Sequence, residues 1–466
     1  MTLIALPLVI LWPSAIVLAV LDGRRRGPGM LAVAALAASL VALSVLLGEV
    51  IAQGPQDLVA GGWAANVGIR LRVDALGAVF AVVSCGVLLA ALLQAVVTGV
   101  QARAGPSLTL FMALGLTGLF LTGDVFSFYV FFELAMISAY ALTSAGGGGR
   151  RVSSAFIFAV VNLVGSFLFL IAIGALYRAT GTLEMQAVAE RAATIEPNTA
   201  IVIAITFFVA FGIKLGLFPF HFWLPSVYLA VPPHVAAMFA GALANIGAYG
   251  LLRFGAVILP RELAISATAL IAIGTVSIAY GAVQAVARRD TREVLAYSSI
   301  GHAGYVLVAI GLGGPIGLAA AVIFSIANAL NKTLLFLASE LRGRLTATAF
   351  LIGALSVAGI PPTAGFFGKA ALFEAGIDAG SIAAVVLLFV GGALSFVYLF
   401  QIYQHDRWRP REQRERAMPR GAASRGQRSV ALTVAAVVLV LGLWPEPLLA
   451  IGEHAAGELL AAGADR

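Results

Sequence analysis

The sequence predicts an all-α polytopic membrane protein of about 14 transmembrane helices, with two inverted five-helix repeats and two helices broken at membrane depth. The first observation behind this is composition: 61% of the 466 residues are hydrophobic, 11% are charged, and mean hydropathy is +1.00. That leaves far too little polar surface for a water-soluble protein of this length. The second is the recurrence of apolar runs of about 20 residues, the length that crosses the hydrocarbon core. The third is proline, at Pro219 and again at Pro361 and Pro362, inside two runs longer than one simple crossing requires.

In chain order the predicted spans are 2–21, 29–51, 73–98, 105–123, 124–144, 152–177, 198–229, 231–254, 262–286, 293–312, 316–340, 345–378, 380–404 and 429–450. Polar or glycine/proline clusters separate them, such as DGRRRGPG after the first, GGGGRR after the fifth and RRDTRE after the ninth. The first lacks a cationic leader and an A-x-A-like cleavage site, so it reads as a retained helix. Helices 1–3 occupy residues 1–104, helices 4–8 form a first repeat at 105–254, and helices 9–13 form a second at 255–404. A basic loop follows at 405–428, then helix 14 and an external C-terminus at 429–466. An odd count per repeat makes the second unit enter from the opposite side.

Arginine sets the predicted orientation. Arg24 to Arg26, Arg103, Arg150, Arg151, Arg288, Arg289, Arg292, Arg342, Arg344 and the run from Arg407 to Arg428 all follow odd-numbered spans. The positive-inside rule places those loops in the cytoplasm and both termini outside, in a multi-pass protein of the cell membrane. The net charge of +7 is then a topology signal that needs no nucleic acid. The loop 405–428 also suits anionic lipid or a partner subunit. Cys85 is the single cysteine, which excludes an internal disulfide and a cysteine-based metal site. No Ser-His-Asp pattern or phosphate-binding glycine loop stands out, and neither a metal nor a cofactor is expected.

Lysine is used differently. Only Lys214, Lys332 and Lys369 occur among 29 basic residues, and each lies in an apolar run. An ionised lysine at the bilayer centre costs about 2.5–3.5 kcal/mol on the most lenient scale, so such residues face protein or a wet cavity. Arginine would cost as much; lysine differs in being able to release its proton when buried. Reserving lysine for the membrane interior therefore suits proton movement.

The prolines reinforce this. Pro219 cannot donate to the carbonyl of Leu215, and Pro361 and Pro362 likewise free Val357 and Ala358, so helices 7 and 12 should break. Each is the fourth helix of its repeat, and each carries a lysine within two turns. Matched interruptions in two halves mark the working site of many transporters. Glu133, in FYVFFELAMISAY, is the only carboxylate well inside an apolar run and the natural counter-charge for Lys214. His221 lies seven residues after Lys214, two turns along an unbroken helix and within reach of bridging water. His302 sits early in helix 10 as a candidate entry relay. Asn245, Asn328 and Asn331 cannot titrate but can hold water or bond across helices. His234, His405 and His454 read as helix-end or external groups.

GDVFSFYVFFELAMISAYAL, KLGLFPFHFWLPSVYLAVPPHVAAMFAGALANIGAYGLLR, RRDTREVLAYSSIGHAGY, NALNKTLLF and GIPPTAGFFGK together resemble the antiporter-like subunits shared by Mrp cation/proton antiporters, respiratory complex I and membrane-bound hydrogenases. The similarity runs from about residue 105 to 375, and within that group the chain looks most like the D-type subunits of Mrp-type sodium/proton antiporters. The resemblance implies fourteen helices, external termini, inverted repeats and broken helices 7 and 12. It places the family glutamate on Glu133 and its lysines on Lys214, Lys332 and Lys369. The short stretch after helix 14 leaves no room for the lateral helix of larger A-type subunits. The chain departs from relatives at Asn245, where a lysine is common, and at Asn328, where a histidine is common.

The resemblance implies a proton-translocating subunit of a multi-subunit sodium (or other monovalent cation)/proton antiporter driven by the proton motive force, a secondary transporter rather than an enzyme. Two alternatives stay open: a pumping subunit of complex I or a hydrogenase, distinguished by neighbouring genes, and a non-conducting structural subunit, distinguished by a dry gap at the asparagines. Partners in the first reading are other membrane subunits, the bilayer, protons and sodium.

Overall fold

The computed structural model describes residues 3–59, 68–100, 102–408 and 423–464. Among these, eleven helical segments are long and apolar enough to cross a membrane, and Leu6–Val20, Gly105–Leu121 and Arg344–Ala358 are apolar but shorter. The helices in order are α1 (Leu6–Val20), α2 (Arg26–Gln53), α3 (Ala75–Thr98), α4 (Gly105–Leu121), α5 (Val125–Ser144), α6 (Gly149–Thr180), the short α7 (Met185–Ala192) and α8 (Pro197–Leu215). After a break come α9 (Trp223–Ala230), α10 (Pro233–Met238) and α11 (Asn245–Gly250), the last two joined by a π-helical turn at Phe239–Leu243 and followed by another at Leu251–Ile258. Then follow α12 (Pro260–Val286), α13 (Thr291–Leu312), α14 (Gly314–Ser339), α15 (Arg344–Ala358), α16 (Ala364–Asp378), α17 (Ile382–Tyr403), α18 (Arg425–Leu443) and α19 (Glu446–Ala464).

Burial identifies the centre. The segments Pro233–Ile258, α13 and α14 are 94%, 89% and 89% buried over their apolar windows, against 22% for α12 and 39% for α6. The apolar face of α12 is therefore left for lipid or partners, while the central three see almost only protein. Small residues let α12 and α13 approach: a Cβ on Gly281 would lie 2.5 Å from the Gly301 nitrogen, and one on Gly304 2.5 Å from the Gly274 carbonyl. Close backbone approach of this kind drives helix association where no hydrophobic effect operates between helices.

Contacts between connections define two faces. On one, Gly23 bonds Arg103, Arg151 donates to Ala145 and Ala230, and Arg292 donates to Tyr228, Leu229 and Val231. This is the arginine face. On the other, an antiparallel hairpin of β1 (Gln56–Val59) and β2 (Arg70–Val73) touches Thr122, Arg70 pairs with Glu184, and the Ala75 amide donates to Glu458. This is the hairpin face.

Three expectations need correction. The chain is not wholly helical, because the linker before α3 pairs as four-residue strands too short to show a period. Helix 14 ends at Leu443 rather than 450, and the C-terminal stretch forms a further helix, α19, packed on α14 and α3. The basic loop predicted at 405–428 is shorter than that at its ends: Gln404–Trp408 forms a π-helical turn and Arg425 already starts α18, where Ser424 and Gln427 make a reciprocal capping box. Residues 409–422 of that loop lie outside the described residues.

Candidate functional site

Both breaks fall where the prolines place them, and both are stopped by glycine. Helix α8 closes at Gly216 and α15 at Gly359, with φ of 72° and 81° respectively, a conformation that only glycine adopts without strain. The backbone groups released at the first break are taken up by side chains: the Trp223 indole donates to the Ile213 carbonyl at 3.0 Å and the Phe218 amide donates to Ser277 Oγ at 3.1 Å. At the second, the Gly365 amide donates to Ser356 Oγ at 3.0 Å, and Thr363 Oγ1 donates to the Ile360 carbonyl at 2.7 Å.

Each break presents a helix C-terminus inside the protein, and each holds a lysine there. Lys214 lies in the last turn of α8, and the Lys369 ammonium donates to Ala358, the last residue of α15, at 3.1 Å. The partial negative charge of a helix C-terminus favours a cation at that point, so the break itself supplies part of the solvation the bilayer denies. Lys214 is buried, donates to the Asn162 carbonyl at 2.8 Å and Ser166 Oγ at 3.2 Å, and stands 4.4 Å from the centre of the Phe132 ring. A cavity of about 10 Å³ beside it, lined by Asn162, Trp223 and Tyr228 among others, is at the limit of what one water fills.

Glu133 follows Phe132 on α5. It is half-buried, its Oε1 is enclosed without a hydrogen-bond partner, and among the described residues no ion pair joins it to Lys214. The expected direct counter-charge contact is therefore absent; Lys214 spends its donors on α6 instead. His221 also departs from expectation. The chain turns at Gly216–Pro219, so His221 does not share a helical face with Lys214; it packs against Phe218 and Tyr280, ring centres 5.4 and 4.3 Å away, with Nδ1 unpartnered.

The central segments carry the rest. Asn245 donates to Ser84 Oγ at 3.2 Å and to the Gly241 carbonyl at 3.1 Å. His302 is fully enclosed at the middle of α13 rather than early in its helix, and its Nδ1 lies 2.6 Å from Asn328 Oδ1. Asn328 is thus the partner of His302 and not an isolated replacement. Lys332 is 0% exposed and donates to Ser298 Oγ at 2.7 Å and the Leu295 carbonyl at 3.3 Å. Lys369 stands 5.5 Å above the Tyr305 ring and lines a cavity of about 660 Å³ with Phe373, Glu374, Phe389 and Phe396. No group of three or more His, Cys, Asp or Glu suited to a metal occurs among the described residues.

Two clusters escaped sequence reasoning. Ser298, Tyr398 and Ser395 bond one another next to Lys332. At the hairpin face, Arg253 grips Asp74 through two oxygens at 2.6 and 2.7 Å while contacting Tyr249 Oη, and Asp74 caps α3 through the Gly77 amide. Burial alone would raise the Asp74 carboxyl, but Arg253 and the Gly77 amide more than offset it and hold it below the ordinary aspartate value. The signal available beforehand was Arg253 itself, an arginine at the end of an apolar run on the arginine-poor side.

These features define a membrane transport protein: a helical bundle with interrupted helices and lysines stationed at the interruptions. Residues 122–395 match the family described as NADH:quinone oxidoreductase/Mrp antiporter, TM, and the chain belongs to that family. It is 29% identical over 479 residues to the D-type subunit of the Na(+)/H(+) antiporter of Bacillus subtilis (strain 168), covering 98% of this chain and 97% of the relative. Among solved structures, a chain of the Mrp complex from Dietzia sp. DQ12-45-1b superposes with a TM-score of 0.88 at 27% identity, over 99% of this chain and 98% of that one. A chain of respiratory complex I from Thermus thermophilus superposes with a TM-score of 0.78 at 26% identity, covering 95% and 98% respectively.

Proposed function

We propose that this chain is the proton-translocating membrane subunit of a multi-subunit antiporter that admits protons to expel Na+ or a similar monovalent cation. The observation that carries the reading is the placement of all three lysines of the chain in the protein interior, two of them at the C-terminal ends of interrupted helices. The D-type relatives favour the antiporter over a redox-driven pump.

In this reading the bundle has fourteen crossings in two inverted five-helix repeats, with both termini outside. The clustering of arginine-bearing connections on one face supports that orientation, the arginine face being cytoplasmic. Protons enter near Glu133 and Lys214, pass the central segment by way of Lys332 with His302, Asn245 and Asn328 holding the polar line, and leave from Lys369. Glu133 modulates Lys214 through space, and its half-exposed position suits cover by a neighbouring subunit.

The test is exchange in the assembled complex. Lys214→Ala and Glu133→Ala should abolish cation/proton exchange without preventing assembly, and Lys214→Arg, which keeps the charge but cannot release a proton, should be equally inactive. Full exchange by both alanine variants would sink the reading.

A further inference from the structure

Protons that pass from Lys332 to Lys369 find no titrating step at Asn328, whose amide oxygen is bonded to His302. We propose that Ser298, Tyr398 and Ser395 form a hydroxyl relay that carries them between the two lysines along α17. The proposal rests on the proton-translocating reading above.

From Lys332 to Ser395 the chain of bonds is continuous and enclosed. Lys332 Nζ donates to Ser298 Oγ at 2.7 Å, Ser298 Oγ lies 2.8 Å from Tyr398 Oη, and Tyr398 Oη donates to Ser395 Oγ at 3.2 Å. All four residues are at most 2% exposed. Ser395 in turn donates to the Gly391 carbonyl at 2.8 Å, one turn further along α17. A hydroxyl accepts on one lone pair while donating its own proton, which is what a relay member must do and an asparagine does not do without changing its bonds.

The far end of the chain arrives at Lys369. A Cβ on Gly392 would lie 3.3 Å from Lys369 Nζ, and one on Gly391 would lie 2.3 Å from Tyr305 Oη. The ammonium and the tyrosine hydroxyl therefore rest against the bare backbone of α17. Ser395 is three residues beyond Gly392, a rise of about 4.5 Å. Tyr305 Oη is enclosed, makes no hydrogen bond of regular geometry and lies near the Ser395 hydroxyl, while Lys369 sits over the Tyr305 ring.

The transfer balances. A proton leaves Lys332 for Ser298 Oγ as the Ser298 proton passes to Tyr398 and that of Tyr398 to Ser395; the Ser395 hydroxyl then turns from the Gly391 carbonyl to give its proton to Tyr305 Oη, whose own proton goes to a neutral Lys369 amine. Every hydroxyl ends neutral, Lys332 ends as the amine and Lys369 as the ammonium. Rotation of the hydroxyls restores the starting orientation.

The experiment uses the assembled complex in inverted membrane vesicles, reading cation-dependent proton exchange, its solvent deuterium isotope effect and the amount of complex. Tyr398→Phe keeps the ring and leaves Ser298 free to accept from Lys332, so it removes only the onward link. We expect Tyr398→Phe and Ser395→Ala to assemble normally, to slow exchange by at least about tenfold and to raise the isotope effect. Slow exchange with an unaltered isotope effect would assign the hydroxyls to holding Lys332 alone and overturn the relay. Wild-type rates in Tyr398→Phe and Ser395→Ala, with Lys332→Ala and Lys369→Ala inactive, would overturn it while leaving the translocation reading intact. Full exchange in both lysine variants would instead bring down that reading and the relay with it.

Discussion

Lys214, Lys332 and Lys369 give their protons to uncharged oxygens: the Asn162, Leu295 and Ala358 carbonyls and the Ser166 and Ser298 hydroxyls. Neutral dipoles solvate an ammonium yet strand no opposite charge when it deprotonates. Asp74 and Arg253 are the contrast, because a two-point carboxylate–guanidinium grip is built to stay ionised. Since the folded Asp74 carboxyl lies below its ordinary value of 3.8, the pair contributes its full stability above that value and loses it as pH falls below, through the folded value. Thermal unfolding of the purified complex should therefore show a stability term that is level from pH 7 to about 4 and declines beneath. Asp74→Asn should remove that term and destabilise at pH 7 by roughly 3–5 kcal/mol, the cost of leaving a buried charge unpaired. An unchanged melting profile in Asp74→Asn would refute this.

At the scale of elements, an interruption needs a stop, a restart and a neighbour to absorb the loose backbone. Gly216 and Gly359 provide the stops, while Trp223, Ser277 and Ser356 absorb the amides and carbonyls. Packing of the flanking helices is as demanding. Because α12 and α13 touch backbone to backbone at Gly274, Gly281, Gly301 and Gly304, Gly281→Leu should force them apart and cost more than about 3 kcal/mol by overpacking. Loss of assembled complex on a native gel would register it, and normal yield would contradict it. Prolines and glycines in long apolar runs made the breaks readable from sequence. The hydroxyl relay was not readable, since Ser395 and Tyr398 sit in LSFVYLF with nothing to mark which face they share with α13.

Across the whole molecule, aromatic rings cluster between Lys214 and the hairpin face, bordering an apolar cavity of about 500 Å³ lined by Phe207, Phe211 and Phe254. Phe254 alone has Phe207, Phe211, Phe128 and Phe169 with ring centres 4.8 to 5.5 Å away. In the proposed reading, a dry plug there would deny water a direct route past Lys214, and a translocated proton would move sideways. Phe254→Ala should open a cavity, cost about 3–5 kcal/mol and raise passive proton leak through vesicles carrying the complex. Tight vesicles with this variant would argue against a plug. Composition, charge and apolar length were enough to read the class of fold and the three lysines, because a charge in an apolar run is conspicuous wherever it ends up. Who touches whom was less legible. Charge complementarity suggested that Glu133 and Lys214 meet, but helix rotation decides contact, and it turns Lys214 toward α6. The C-terminal helix was missed because its apolar residues are interleaved with Glu446, Glu453, His454 and Glu458, below the hydropathy of a crossing.

The bond from Lys369 to Ala358 joins the two halves of one interrupted helix, with the ammonium on α16 and the carbonyl at the end of α15. Proton occupancy and the fit of those halves are therefore thermodynamically linked. If losing the proton loosens the joint, then pulling the joint open must make the proton easier to lose, by the same free energy. A partner that pushed on either half-helix would be setting the lysine's grip on its proton, turning a mechanical load into a chemical one.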